Sequence, residues 1–314
     1  MIKNKLIKNA KKVDTFLSNY IKKQKKSLLV APMKYGVLSG GKKIRSTIIF
    51  DTGKLFKIHQ NKLIYISAAV ECIHSYSLIH DDLPCMDNDL FRRGKPSTHK
   101  KFGESTAILA GNSLLTIAFE ILSQTSFHID CKSKINLIKL MSECSGHTGI
   151  AGGQYSDLNF EGKKVPLSKV VKMQIKKTGK LFSFCCMAPL IIGKKNKYLK
   201  NFDMIGADIG LLFQIADDLI DYRGNSKEAG KKTRKDFKKG KATLISLLGH
   251  QNTIKYGNRL KYKIFKKLNK FGKRSEDLRG TIKYILERRK WRRTINIWIK
   301  LTFLRTLKNL NNQN

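Results

Sequence analysis

The sequence predicts an all-α, single-domain helical bundle. Apolar residues recur at intervals of three and four over five windows, 63 to 80, 105 to 123, 134 to 150, 167 to 192 and 202 to 222, the spacing of a helix with one face in a core. Period-two alternation, the mark of a half-buried strand, is scarce. Short clusters such as Gly40-Gly41, Gly94-Lys95-Pro96, Gly193-Lys194-Lys195 and Gly224-Asn225 punctuate the windows as helix ends and tight connections do.

A chain of 314 residues with 41% hydrophobic content can bury a large core. It has 5 prolines and no Gly/Ser-rich or Pro-rich run, so nothing asks for a linker before residue 290. The formal net charge of +40 comes from 63 Lys+Arg against 23 Asp+Glu. Such a field attracts any polyanion, from nucleic acid to small diphosphates, and much of it is accounted for by solvated lysine. The six cysteines form no CxxC pair and have no histidine at zinc spacing, which speaks against a zinc module, and most of them sit among apolar neighbours as buried thiols in a reducing compartment would. The segment MIKNKLIKNAKKVDTFL is basic and amphipathic without a secretory apolar core, and no window is read as approaching the ~20 apolar residues of a bilayer span. A cytoplasmic location without stable membrane insertion is the expectation.

Taken in order, GGKKIR places Lys42 and Arg45 on one side of a helix that opens after a glycine pair. The window from 63 to 80 runs into SLIHDDLPCMDND: His74, Ser77 and Asp81 share a face, Asp82 follows, Pro84 ends the helix and Asp87 reaches back from a loop. Arg92 and Arg93 come next, with the planar guanidinium fork suited to phosphate oxygens. Lys177, beside Thr178 in the fourth window, and the later Lys231 and Lys241 add further cations. In FQIADDLID, Gln214, Asp217, Asp218 and Asp221 fall at i, i+3, i+4 and i+7, on one face of a helix that is apolar nearly everywhere else. Buried carboxylates at such spacing repel one another and lose hydration, so a cation must join them. Hard divalent ions that take one or two carboxylates plus phosphate oxygens meet that need, magnesium first and manganese as an alternative.

The segments GGKKIR, VECIHSYSLIHDDLPCMDNDLFRRG, GGQYSDL, KKTGKL and GLLFQIADDLID, in that order from Tyr35 to Lys290, resemble the bacterial farnesyl diphosphate synthases of the all-helical trans-prenyltransferases. The resemblance implies an isoprenoid-synthase bundle with a central cavity over residues 1–290, followed by a basic extension, 291–314. It implies that Asp81, Asp82, Asp87, Asp217, Asp218 and Asp221 carry three Mg²⁺ ions gripping an allylic diphosphate. It assigns Lys42, Arg45, His74 and Arg93 to isopentenyl diphosphate, Arg92, Lys177, Lys231 and Lys241 to the leaving group, and Thr178 and Gln214 to the neighbourhood of the allylic cation. Tyr76 and Ser77, one turn before Asp81, would floor the tail pocket at fifteen carbons. A homodimer is implied, and no nucleic acid is expected as partner. Geranylgeranyl diphosphate synthesis is the neighbouring alternative, and a basic nucleic-acid-binding protein the alternative from another class. Ser46 stands where the family pattern has proline, Asn88 interrupts its acidic run, Asn112 stands where aspartate is common and Arg234 where glycine is expected.

Overall fold

The computed structural model describes residues 2–24, 27–222 and 242–288. Helices α1 (Ile2–Lys22), α2 (Val30–Val37) and α3 (Ile44–Leu55) lead to the long α4 (Gln60–Asp81). Next come α5 (Thr98–Phe102), α6 (Glu104–Ser123), α7 (Cys131–Ser145), α8 (Ile150–Phe160) and α9 (Leu167–Gln174). A π-helical turn, Ile175–Gly179, runs into α10 (Lys180–Ile192), and α11 (Leu199–Tyr222), α12 (Leu244–Leu268) and α13 (Glu276–Glu287) complete the order.

Helix α4 is buried almost without interruption from Ser67 to Ile73, the state expected of a helix that is apolar on every side. It packs on α6 and α3, while α11 packs on α10 and α12. Helix α10 touches α3, α4, α7 and α11 and so ties the two halves together. Side-chain caps fix several starts: Asp130 Oδ1 accepts from Ser133 N at 3.0 Å at the head of α7, and Thr243 and Ser246 form a reciprocal capping box on α12.

Three differences from the sequence reading have local causes. The window from 134 to 150 is two helices, because Gly146 and Gly149 take non-helical backbone between α7 and α8. The window from 167 to 192 is broken by the π turn at Lys177 and Thr178, an insertion of the kind that re-aims side chains at functional sites. The third is a two-stranded antiparallel ribbon, β1 (Phe91–Arg92) with β2 (Lys95–Pro96). It closes through Arg93 and Gly94, both at positive φ (52° and 71°), as a tight hairpin turn of the right twist demands.

Helix α6 corrects the expectation about membrane-length windows: by length and composition it is apolar enough to cross a bilayer, with a hydropathy of 1.5. Its polar residues are spread among Ala, Leu and Ile, which hides the run from a reader counting uninterrupted apolar residues. Here that apolarity serves the fold, since Ala107, Ala110, Leu114, Ala118 and Ile121 are buried where α6 meets α4. Of the cysteines, Cys72, Cys144, Cys185 and Cys186 are buried, Cys85 and Cys131 are exposed, and all six are reduced.

Candidate active site

Helix α4 ends at Asp81, and the chain turns back immediately: the backbone N–H of Asp87 donates to Asp81 O at 2.8 Å and that of Asp89 to Asp82 O at 3.1 Å. The expected return of Asp87 from a loop is therefore built from backbone hydrogen bonds. Burial pushes the Asp81 carboxyl up to about 6; Asp87 and Asp82 add to the shift, and Lys177 and Arg92 oppose it. Asp82 is buried and its two oxygens accept from Arg92 Nε at 2.9 and 3.1 Å. Expected among the metal ligands, Asp82 thus holds a guanidinium in this structure.

The β1–β2 hairpin sends its two consecutive arginines to opposite sides. Arg92 lies on the acidic side, with Asp82 and, at 3.5 Å, Asp89. Arg93 lies on the side of the glycine pair, where it donates to Ser39 Oγ at 3.0 Å and to Gly40 O. Gly41 is required there: its φ is +115°, and a Cβ would stand 2.9 Å from the Arg93 guanidinium carbon.

Of the predicted cation set, Arg45 and His74 lie within electrostatic reach of Arg93. Arg45 lies against the rings of Phe182 and Phe213, 4.8 and 5.5 Å from their centroids, and its Nε is buried with no hydrogen-bond partner. Lys42 reaches over the ring of Tyr284 at 5.2 Å. Burial holds His74 well below the ordinary imidazole range, and Arg45, Arg93, Lys43 and Arg92 push it lower still. His74 is therefore a neutral hydrogen-bonding group inside a ring of cations, an arrangement for an anion that supplies the missing negative charge.

The other wall is the π turn with α8 and α11. Lys177 Nζ lies 2.7 Å from Asp157 Oδ2 on α8. Thr178 Oγ1 donates to Gln214 Oε1 at 3.4 Å, and Gln214 Nε2 donates to Asp218 Oδ1 at 2.9 Å. Asp218 and Asp221 are buried, and Asp217 ion-pairs with Arg288. The Arg288 guanidinium lies 3.9 Å from the Phe213 centroid, so that ring is flanked by Arg45 and Arg288. Burial lowers the Arg45 guanidinium, and among the charges opposing it are Glu71 on α4 and Asp217 on α11, so both aspartate-bearing helices act on one guanidinium.

The carboxylates of the two clusters form an oxygen-only donor set, buried or partly so, and fit a hard divalent cation by charge and chemistry. Among the described residues no three acidic, histidine or cysteine side chains converge into a ready-made cage. That suits an ion drawing a carboxylate or two from one helix and completing its shell with phosphate oxygens and water.

In the predicted tail pocket, the Tyr76 hydroxyl donates to Ser145 O at 3.4 Å and its ring meets His80 edge-on at 5.6 Å. Ser77 turns its hydroxyl onto His74 O of its own helix. Lys231, Lys241, Arg234 and the extension 291–314 lie outside the described residues. Four participants escape the sequence reading: Lys43, Glu71, Asp157 and Arg288. Asp157 was within reach, as the acid of GGQYSDL three residues after Gln154; Arg288 sits in ERRK, where the motif likeness stops.

The polyprenyl synthetase family model matches residues 26–282. The chain is 40% identical over 268 residues to the farnesyl diphosphate synthase of Escherichia coli K12, covering 83% of this chain and 90% of that one. Among solved structures, an FPP/GFPP synthase from Zymomonas mobilis superposes with a TM-score of 0.81 at 37% identity, over 91% of this chain and 98% of that one. A Helicobacter pylori geranyltransferase complexed with magnesium and isoprenyl diphosphate superposes with a TM-score of 0.78 at 30% identity, over 91% and 96%.

Proposed function

The chain belongs to the polyprenyl synthetase family, and from that premise we propose that it is a prenyltransferase joining isopentenyl diphosphate to dimethylallyl and then geranyl diphosphate, with farnesyl diphosphate as product. The observation that carries the reading is the division made by the hairpin. Arg92 is held by the Asp82 carboxylate, whereas Arg93 is held by Ser39 and Gly40 in the turn that leads to Lys42, with Arg45 and His74 within its electrostatic reach. One side suits a diphosphate bound through metal, which must leave. The other suits a diphosphate bound by protein cations alone, which must stay.

On this reading the carboxylates of both clusters hold magnesium, three ions in all, with Asp82 also holding Arg92 in place. Magnesium supplies charge neutralisation for the departing diphosphate when bound. Arg92 and Lys177 add fixed positive groups on the same side, with Lys231 and Lys241 as further candidates. These groups favour heterolysis of the allylic C–O bond, because their charge is already in place as the diphosphate takes up negative charge. Thr178 and Gln214 present oxygens to the allylic carbon. Lys42, Arg45, His74 and Arg93 orient isopentenyl diphosphate so that its terminal alkene carbon bonds to C1 of the allylic group. A proton is then lost to the released diphosphate, which restores the double bond. Burial of the surrounding side chains keeps water from the cation. The same reading makes the protein a cytoplasmic homodimer with one catalytic domain through residue 290.

The test is direct. Purified protein is incubated with labelled isopentenyl diphosphate, each allylic starter and Mg²⁺, and the lipid product is sized. A fifteen-carbon product is expected; a twenty-carbon product moves the assignment to geranylgeranyl diphosphate synthesis, and no prenyl transfer removes it.

A further inference from the structure

Behind the cation-only subsite lies a buried acid for which the reaction above has no use. Glu71 is on α4, one turn before His74, and is 2% exposed. Both of its oxygens are engaged. Oε1 accepts from Ser46 Oγ at 2.7 Å, and Oε2 lies 3.6 Å from Lys43 Nζ. Ser46 is the residue standing where proline was expected, and a proline there could not make this bond.

Lys43 is equally confined. Its Nζ donates to Val37 O at 2.9 Å, lies 3.4 Å from Asp14 and is 1% exposed. Its own backbone is left-handed, φ 44°, separated only by Lys42 from Gly40 and Gly41 at 88° and 115°. A buried ammonium therefore closes the turn that presents Lys42 and Arg45 and that accepts Arg93. Burial pulls the guanidinium groups of Arg45 and Arg93 below their ordinary range, and in each case Glu71 is the largest charge opposing that pull. Arg45, Lys43 and Arg93 come from α3, its cap and the hairpin, and Glu71 is a counter-charge common to all three.

We propose that Glu71 is the positioning residue of the isopentenyl diphosphate subsite: it anchors Lys43, and with it the Gly40–Gly41 turn, and balances Arg45 and Arg93 so that both aim at one diphosphate. The inference rests on the two-subsite reading above. Without that acid Lys43, Arg45 and Arg93 would repel one another with less to oppose it, and their heads would drift apart. Its absence is therefore felt as lost orientation at one subsite while the metal-side subsite keeps its own carboxylates.

The test uses Glu71→Gln, which keeps the shape and an acceptor for Ser46 but removes the charge, and the double variant Lys43→Met/Glu71→Gln, which removes the buried pair together. A buried pair replaced as a unit is often tolerated, so the double variant supplies a folded protein where the single one melts too low to assay. Steady-state kinetics with isopentenyl and geranyl diphosphate are run beside thermal melts. The expected result is a KM for isopentenyl diphosphate raised at least tenfold in both variants and a KM for geranyl diphosphate within twofold of wild type. In the double variant this split persists at a near-wild-type melting temperature. Recovery of the isopentenyl diphosphate KM along with stability in the double variant overturns the proposal, as does an equal rise of both KM values or an unchanged KM in a folded Glu71→Gln. Wild-type protein that transfers no prenyl group fails the two-subsite reading itself, a result separate from any of these.

Discussion

Arg288 lies over the ring of Phe213 and ion-pairs with Asp217, one turn further along α11. The last described residue of the chain thereby reaches an aspartate of the second acidic cluster, and its Nη2 also donates to Phe213 O at 3.2 Å. Arg288, a residue only 7% exposed, balances charge at a place where a divalent ion would also do so.

Arg288→Gln is expected to destabilise the protein by about 3 kcal/mol, the low end for removing one partner of a buried pair, because the Asp217 side chain keeps 22% exposure. Magnesium with inorganic pyrophosphate should then raise the melting temperature of the variant more than that of wild type, since the bound charge takes over part of the lost role. Calorimetry with and without the pair of ligands reads both effects. Equal ligand shifts in the two proteins would separate Arg288 from the metal-side subsite.

Gly153 carries a second expectation. A Cβ at this position would collide with the backbone of Lys177, whose ammonium is fixed 2.7 Å from Asp157. Gly153→Ala should cost about 1–3 kcal/mol through overpacking. It should also lower kcat about a hundredfold, because a displacement of an ångström in a catalytic group costs that order. Asp157→Asn, which loosens Lys177 without moving its backbone, should lower kcat by less. A normal kcat in a folded Gly153→Ala would mean that Lys177 does not act at the reacting diphosphate.

Much of this site is visible in the chain itself, and the reasons differ by residue. Gln214, Asp217, Asp218 and Asp221 are legible because one helix carries them at i, i+3, i+4 and i+7, and α11 runs through them unbroken. His74, Ser77 and Asp81 are legible for the same reason on α4. The hairpin at Arg92 and Arg93 is not, since two residues per strand leave no alternation to detect and the turn depends on a non-glycine residue at positive φ. The π turn at Lys177 escapes because it changes hydrogen-bond register without changing composition. Glu71 and Lys43 escape for a different reason: each resembles an ordinary surface charge until its partner is brought from another part of the chain, and an ion pair between a helix cap and a distant helix has no spacing of its own.

The proposal that Tyr76 floors the tail pocket makes product length depend on how this ring is held. Its hydroxyl bonds to Ser145 O on α7 and its ring abuts His80, so the ring cannot swing aside for a growing tail without losing both contacts. Tyr76→Ala is expected to give products longer than fifteen carbons, with Tyr76→Phe retaining mainly the fifteen-carbon product because the ring remains. Chromatography of the dephosphorylated lipids reads the outcome. Unchanged length in Tyr76→Ala would remove the ring as the floor.

Asp81 ties stability to pH in a direction opposite to that of most surface carboxylates. Burial lifts its carboxyl from the usual 3.8 to about 6, with Asp87 and Asp82 adding to the effect against Lys177 and Arg92. A carboxyl whose folded pKa exceeds its unfolded value binds the proton more tightly when folded, so ionising it costs stability. That cost is absent below about pH 4, grows as pH rises through the interval to about 6, and is complete above it. Asp81→Asn mimics the protonated side chain at every pH. Its gain in melting temperature over wild type should therefore be small at pH 4.5 and larger at pH 7, when the metal-free proteins are compared. Magnesium with inorganic pyrophosphate favours the charged form, so at pH 7 it should stabilise wild type more than Asp81→Asn and narrow or reverse the gap. Differential scanning calorimetry at pH 4.5, 5.5, 6.5 and 7.5 follows the difference between the two proteins, which cancels the titration of groups not coupled to Asp81. A difference that stays constant across this range would mean that Asp81 is solvated and that the first acidic cluster is not the enclosed one its burial describes.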